Sequence, residues 1–145
     1  MGLIYALNGL YFAAFLFLTS LGLSIILGVM GILNLAHGSL YALGAFGAAY
    51  AIGLMAGGSM SIALPLAALA GILLAAAVGF VAETTLIKHM YRRALEYQLL
   101  ITFGILMLIE DGVKLVFGGE AIYASAPMDA MGSVNLAGHT YQVYY

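Results

Sequence analysis

Residues 1–82 contain no Asp, Glu, Lys or Arg, and a stretch of that length without charge cannot be wrapped into a water-soluble fold. A helix in water needs a polar side opposite its buried stripe. Lipid is the solvent that suits this segment. Composition agrees, with 65% hydrophobic residues, 7% charged residues and a mean hydropathy of +1.12, values of the membrane class. The apolar run is broken near residue 35 by the polar cluster Asn34-Leu35-Ala36-His37-Gly38-Ser39.

Charge and cysteine content exclude several functions. The net charge is −2 and the cations are Lys88, Arg92, Arg93 and Lys114. No basic stripe is available to neutralise phosphates, so nucleic acid is excluded as a partner. The chain has no cysteine, which removes disulfides, thiolate nucleophiles and cysteine metal sites. A cleaved signal peptide is not expected, because no Lys or Arg precedes the apolar region and the region outruns a signal core.

A span requires about 20 apolar residues to cross a hydrocarbon core of about 30 Å. On that measure residues 1–117 form an all-α, polytopic transmembrane bundle of four expected spans, at about 3–33, 38–55, 61–87 and 98–117. The first is longer than needed, and Gly22, Gly28 and Gly31 are its candidate break points. Gly57-Gly58-Ser59 reads as the turn after the second span, and Pro65 is expected in the first turn of the third. Lys88, Arg92 and Arg93 concentrate positive charge in residues 88–97, which the positive-inside rule puts in the cytoplasm. Residues 118–145 then form an external tail. Within it Ser133-Val134-Asn135-Leu136 and Thr140-Tyr141-Gln142-Val143 alternate about Ala137-Gly138, the pattern of a short hairpin, and Tyr141, Tyr144 and Tyr145 suit the headgroup zone.

Small residues recur at four-residue spacing in span two (Gly44, Gly47, Ala48, Ala51, with Ala45 adjoining) and in span three (Ala67, Gly71, Ala75, Gly79). Such stripes let helices approach closely, so they read as packing faces before they read as a conduit. The cluster after span one reads as a helix break. Asn34 and Ser39 are helix-entry residue types, and Gly38 tolerates backbone angles that strain other residues. His37 is weighed between a capping or packing role and a place on a translocation pathway.

Span four carries charge where none is cheap. Glu110 lies 12 residues beyond Gln98, about 18 Å along a straight helix. Lys114 follows it by four residues and Asp111 by three, so an internal cluster of Glu110, Asp111 and Lys114 is expected, with a conduit or coupling role as the alternative. Glu83 is expected to pair with Lys88 or Arg92 at the cytoplasmic end of span three. No metal site is expected, and neither are ATP, dinucleotide or hydrolase motifs: the sequence lacks a Walker A loop, a Gly-x-Ser-x-Gly elbow and His-Glu-x-x-His.

Gly31-Ile32-Leu33-Asn34-Leu35-Ala36-His37-Gly38-Ser39-Leu40-Tyr41-Ala42-Leu43-Gly44-Ala45, then Glu83 through Arg93, then Leu99-Leu100-Ile101-Thr102-Phe103-Gly104 followed by Glu110-Asp111, resemble in order the N-terminal half of permease subunits of branched-chain amino acid ABC transporters. The segment from Pro127 to Tyr145 resembles the family's external region. The resemblance implies a multi-pass inner-membrane subunit, not an enzyme and without a cofactor of its own. It would work with a second permease, cytoplasmic ATP-binding subunits and a periplasmic substrate-binding protein. The implied substrates are branched-chain amino acids, with urea and short amides in related members. Nothing here corresponds to the family's second half with its coupling loop, so a truncated or split permease is expected, with a non-transporting scaffold or assembly fragment as the alternative.

Overall fold

A computed structural model describes residues 2–55, 58–120 and 122, and the backbone of 133–136 and 139–142. Its body is a bundle of four helices: α1 (Gly2–Ile25), α2 (His37–Leu54), α3 (Met60–Thr85) and α4 (Leu95–Phe117). A π-helical turn, Ile26–Met30, extends α1, and a 3₁₀ turn, Ile87–Met90, follows α3. Two stretches, Tyr5–Met30 and Met60–Thr85, are long and apolar enough to cross a membrane. Beyond the bundle, Ser133–Leu136 (β1) pairs antiparallel with His139–Gln142 (β2), in the register Ser133 to Gln142 and Leu136 to His139. The second strand thus begins one residue before the expected Thr140. The turn at Ala137-Gly138 and the tyrosines expected at the headgroup level lie outside the described side chains.

The tightest seam joins α2 to α3. The two helices run antiparallel, with Leu40 against Gly79 and Gly44 against Gly71 and Ala75. Here the small-residue stripes meet backbone to backbone. A Cβ placed on Gly71 would drive into the carbonyl oxygen of Gly44 and come within 3.0 Å of the Ala48 methyl. A Cβ on Gly47 would stand 2.7 Å from a terminal methyl of Leu74. The expected packing faces are therefore the faces in use.

On its other side α2 lies parallel to α4. Phe46 and Tyr50 set their rings against Phe117 at centroid distances of 6.0 and 5.6 Å. The buried core is built from Leu43, Ala82, Ile87, Ile105, Ile109 and Val113, with Ile32 and Ala36 from the segment between α1 and α2. By contrast α1 has no buried residue among those described. It meets α2 through an edge-on contact of Phe15 with Tyr41, centroids 5.4 Å apart, and through Gly22, which faces the ring of His37.

Local details differ from expectation at two glycines and a proline. The left-handed residue of the break is Gly31 (φ 66°), whereas Gly38 lies inside the first turn of α2. Pro65 is the sixth residue of α3 rather than part of its first turn, because the helix begins at Met60.

Gly71→Ala is expected to lower stability by about 1–3 kcal/mol, the usual cost of overfilling a packed seam. Gly53→Ala, where nothing lies within 4 Å of the added carbon, should be neutral or gain up to about 1 kcal/mol of helix propensity. Unfolding midpoints in a dodecyl sulfate titration of the two variants compare them directly.

Candidate functional site

The segment joining α1 to α2 has to satisfy its backbone without a helix ladder, and its polar side chains do so locally. Asn34, buried, accepts the backbone N–H of Ala36 on Oδ1 at 3.0 Å. Ser39, buried in the first turn of α2, donates its hydroxyl to the carbonyl of Ala36 at 2.9 Å. The turn is closed by the His37 N–H bonding the Asn34 carbonyl at 3.3 Å. The helix-entry position itself belongs to Ala36, which makes no side-chain cap; Asn34 acts two residues earlier and Ser39 within the helix.

The break is seated against α4. Thr102, 1% exposed, donates to the Gln98 carbonyl at 2.8 Å and lies 3.3 Å from the Leu33 carbonyl. Thr102 is seven residues past Leu95, so the break sits about 10 Å along α4. Gln98 secures the start of the same helix, donating Nε2 to the Arg93 carbonyl at 3.1 Å and the Met90 carbonyl at 3.4 Å. Its Oε1 is buried without a hydrogen-bond partner among the described residues.

His37 is the polar residue of the cluster left uncommitted. It is half-buried, its Nε2 faces Gly22 where an added Cβ would stand 2.7 Å away, and neither ring nitrogen has a hydrogen-bond partner among the described residues. Two grooves meet at this ring. One, about 700 Å³, runs between α1 and the break and carries Thr19, Ser20, Asn34 and His37 among apolar walls. The other, about 440 Å³, lies between α1 and α2 and includes Thr19, Gly22, His37 and Tyr41. Gly38 lines the first of these and also a third groove of about 460 Å³ between α2 and α4, walled by Ser39, Phe46 and Ile109 with Glu110 and Lys114. The four residues Asn34, His37, Gly38 and Ser39 are thus brought to one junction.

The charged residues of α4 are not brought together as a closed cluster. Lys114 Nζ lies 3.5 Å from Asp111 Oδ1, with side chains 62% and 70% exposed. Glu110 is exposed and has no partner among the described residues. Both i+3 and i+4 spacings bring a lysine within reach on a helix, and here the lysine turns to Asp111.

At the other end of α3, Glu83 accepts a hydrogen bond from the Tyr91 hydroxyl and forms no ion pair with Lys88 or Arg92, all of which are exposed or half-buried. The bond to Glu83 pushes the Tyr91 phenol up to about 12, with burial and the carboxylate's charge adding to it. Sequence reasoning missed Tyr91, Thr102 and Gln98. The four-residue spacing of Gln98 and Thr102 on an apolar helix was the signal for the last two.

Two of the helices are long and apolar enough to cross a membrane, and the polar break opens onto grooves beside α1. Residues 5–131 match the family described as branched-chain amino acid transport system / permease component, and the chain belongs to that family. No curated protein and no solved structure matches it.

Asn34→Ala deletes the acceptor of a buried N–H and is expected to cost about 1–3 kcal/mol, read as a lower unfolding midpoint. The Tyr91 bond has the opposite pH sense to an acid pair. Its folded pKa lies above the ordinary value of 10.0, so its contribution is complete below that value and fades as pH rises through about 12. Subtracting the tyrosinate absorbance titration of Tyr91→Phe from that of the parent chain should leave a single phenol titrating near that upper limit.

Proposed function

We propose that this chain forms part of the translocation path of an ATP-driven importer for branched-chain amino acids or related small amino acids and amides. It lies multi-pass in the inner (plasma) membrane, with the segment of Lys88, Arg92 and Arg93 on the cytoplasmic side. It acts with a second permease subunit, cytoplasmic ATP-binding subunits and a periplasmic substrate-binding protein. Helices α2 and α4 are spans alongside the two more apolar ones. At 1.5 Å per residue they measure about 27 and 34 Å, against a hydrocarbon core of about 30 Å. On this reading the start of α1 and the hairpin of β1 and β2 are external.

The observation that carries the reading is His37. Irregular backbone at membrane depth is tolerated where protein or a water-filled cavity satisfies it, and at this break Asn34 and Ser39 bond the N–H and the carbonyl of Ala36. That leaves an imidazole without a hydrogen-bond partner among the described residues, lining two grooves, and an ionisable group within a membrane segment marks a functional position by default. In the complete transporter, His37→Ala should reduce leucine uptake about tenfold, roughly 1.4 kcal/mol, with the assembled complex recovered at the parent level. Undiminished uptake would remove His37 from the path.

A second reading, a non-transporting scaffold, is favoured by the hydrogen bonds of Asn34 and Ser39, which are spent on the chain's own backbone. Co-expression distinguishes the two: recovery of an ATP-binding subunit on this chain alone counts against the scaffold.

A further inference from the structure

Gly22 has no backbone task that calls for glycine. α1 runs through it as far as Ile25, and the left-handed angles among the described residues belong to Gly31 and Gly118. In a helix interior glycine costs about 1 kcal/mol relative to alanine, so the missing side chain needs another reason. The space it leaves supplies one. The three heavy atoms nearest to an added Cβ all belong to the His37 ring, with Nε2 at 2.7 Å and Cε1 at 2.8 Å, inside any distance that a Cβ keeps from its neighbours. Gly9, on the same helix, has nothing within 4 Å.

The seat of the ring is part of a seam. Among the described residues of α1, Phe15, Thr19 and Gly22 are half-buried and the others exposed, and their spacing of four and then three residues puts them on one face of the helix. Phe15 meets Tyr41 and Gly22 meets His37, so α1 and α2 run antiparallel along this face. Between the two contacts the Thr19 hydroxyl donates within its own helix, 3.0 Å from the carbonyls of Phe15 and Leu16. The His37 ring has no hydrogen-bond partner among the described residues, so shape holds it here.

We propose that Gly22 is the positioning residue of His37: its missing side chain admits the imidazole between α1 and α2, in the orientation that lines both grooves. As a role in transport this rests on the reading of His37 as a residue of the path. The ring is the far end of a flexible side chain, so a methyl at Gly22 turns the ring out of its seat and leaves the helices where they are.

The ring is observed directly by solid-state NMR of the full chain in lipid vesicles, with isotopically labelled histidine. The histidines are His37, His89 and His139, and the imidazole signal missing from His37→Ala is that of His37. Gly22→Ala is expected to shift this signal and Gly9→Ala to leave it unchanged; a signal that Gly22→Ala does not move overturns the positioning role. Leucine uptake by the complete transporter is the second measurement. Gly22→Ala is expected to lower it about tenfold, as His37→Ala does, and to lower it no further when the two are combined. A further loss in the combined variant overturns the role, because the methyl then acts elsewhere than on the ring. Should Gly22→Ala fail to assemble, adding His37→Ala removes the obstruction and is expected to restore recovery of the complex; no restoration overturns the role as well. Undiminished uptake in His37→Ala sinks the path reading and any transport role of Gly22 with it, whereas an unmoved ring signal beside an impaired His37→Ala sinks the role of Gly22 alone.

Discussion

The backbone approach of Gly44 to Gly71 is the contact on which the rest of the bundle depends. In lipid the hydrophobic effect gives helices no reason to associate, because the hydrocarbon chains outside are as apolar as the side chains inside. Close van der Waals contact has to supply the attraction, and it falls off steeply with small gaps. Gly44, Gly71, Ala48 and Ala75 provide that contact by leaving nothing between the two helices but backbone and methyl groups. With α2 fixed on α3, the opposite side of α2 is free to receive α4 through larger side chains, Phe46, Tyr50 and Phe117. One helix therefore carries two seams of different character, tight on one side and wide on the other.

The break before α2 is a consequence of that arrangement. The chain leaves α1 through a π-helical turn and a left-handed Gly31, and has to enter α2 already aligned with α3. Its backbone groups are freed in the process and need other partners. Asn34 and Ser39 satisfy the two ends of the Ala36 peptide environment, and Thr102 brings a hydroxyl to Leu33 from across the interface. The polar cluster thus has a structural duty that consumes Asn34 and Ser39 and spares His37.

Much of this was legible in the sequence, because the governing signals are long or repeated. A charge-free run of apolar residues, the four-residue spacing of glycine and alanine, and the concentration of Lys88, Arg92 and Arg93 outline the helices and the packing faces before any coordinate is known. What was not legible turns on single rotamers and single dihedral angles. Gly31 and Gly38 are equally able to adopt a left-handed angle, and the structure gives it to Gly31. Lys114 reaches i−3 and i−4 equally well, and the structure gives it Asp111. Glu83 stands near two cations in sequence, but a hydroxyl at Tyr91 is the group that the turn of Ile87–Met90 brings back to it. Charge proximity along the chain predicts such partners poorly where a tight turn intervenes.

The two kinds of seam also account for where the polar side chains fall. A seam closed by glycine and alanine has no room for a hydroxyl, an imidazole or a carboxylate, and α2 and α3 present none to each other at Gly44 and Gly71. The looser joints of α1 with the break and of α2 with α4 hold Thr19, Ser20, His37, Ser39, Glu110 and Lys114 along their grooves. α1 is the helix least enclosed by the others, since its described residues include none that is buried and it meets α2 at an aromatic edge and at the His37 ring. His37 stands at the looser of these joints, where α1 meets the start of α2 and an added Cβ at Gly22 would lie 2.7 Å from its ring.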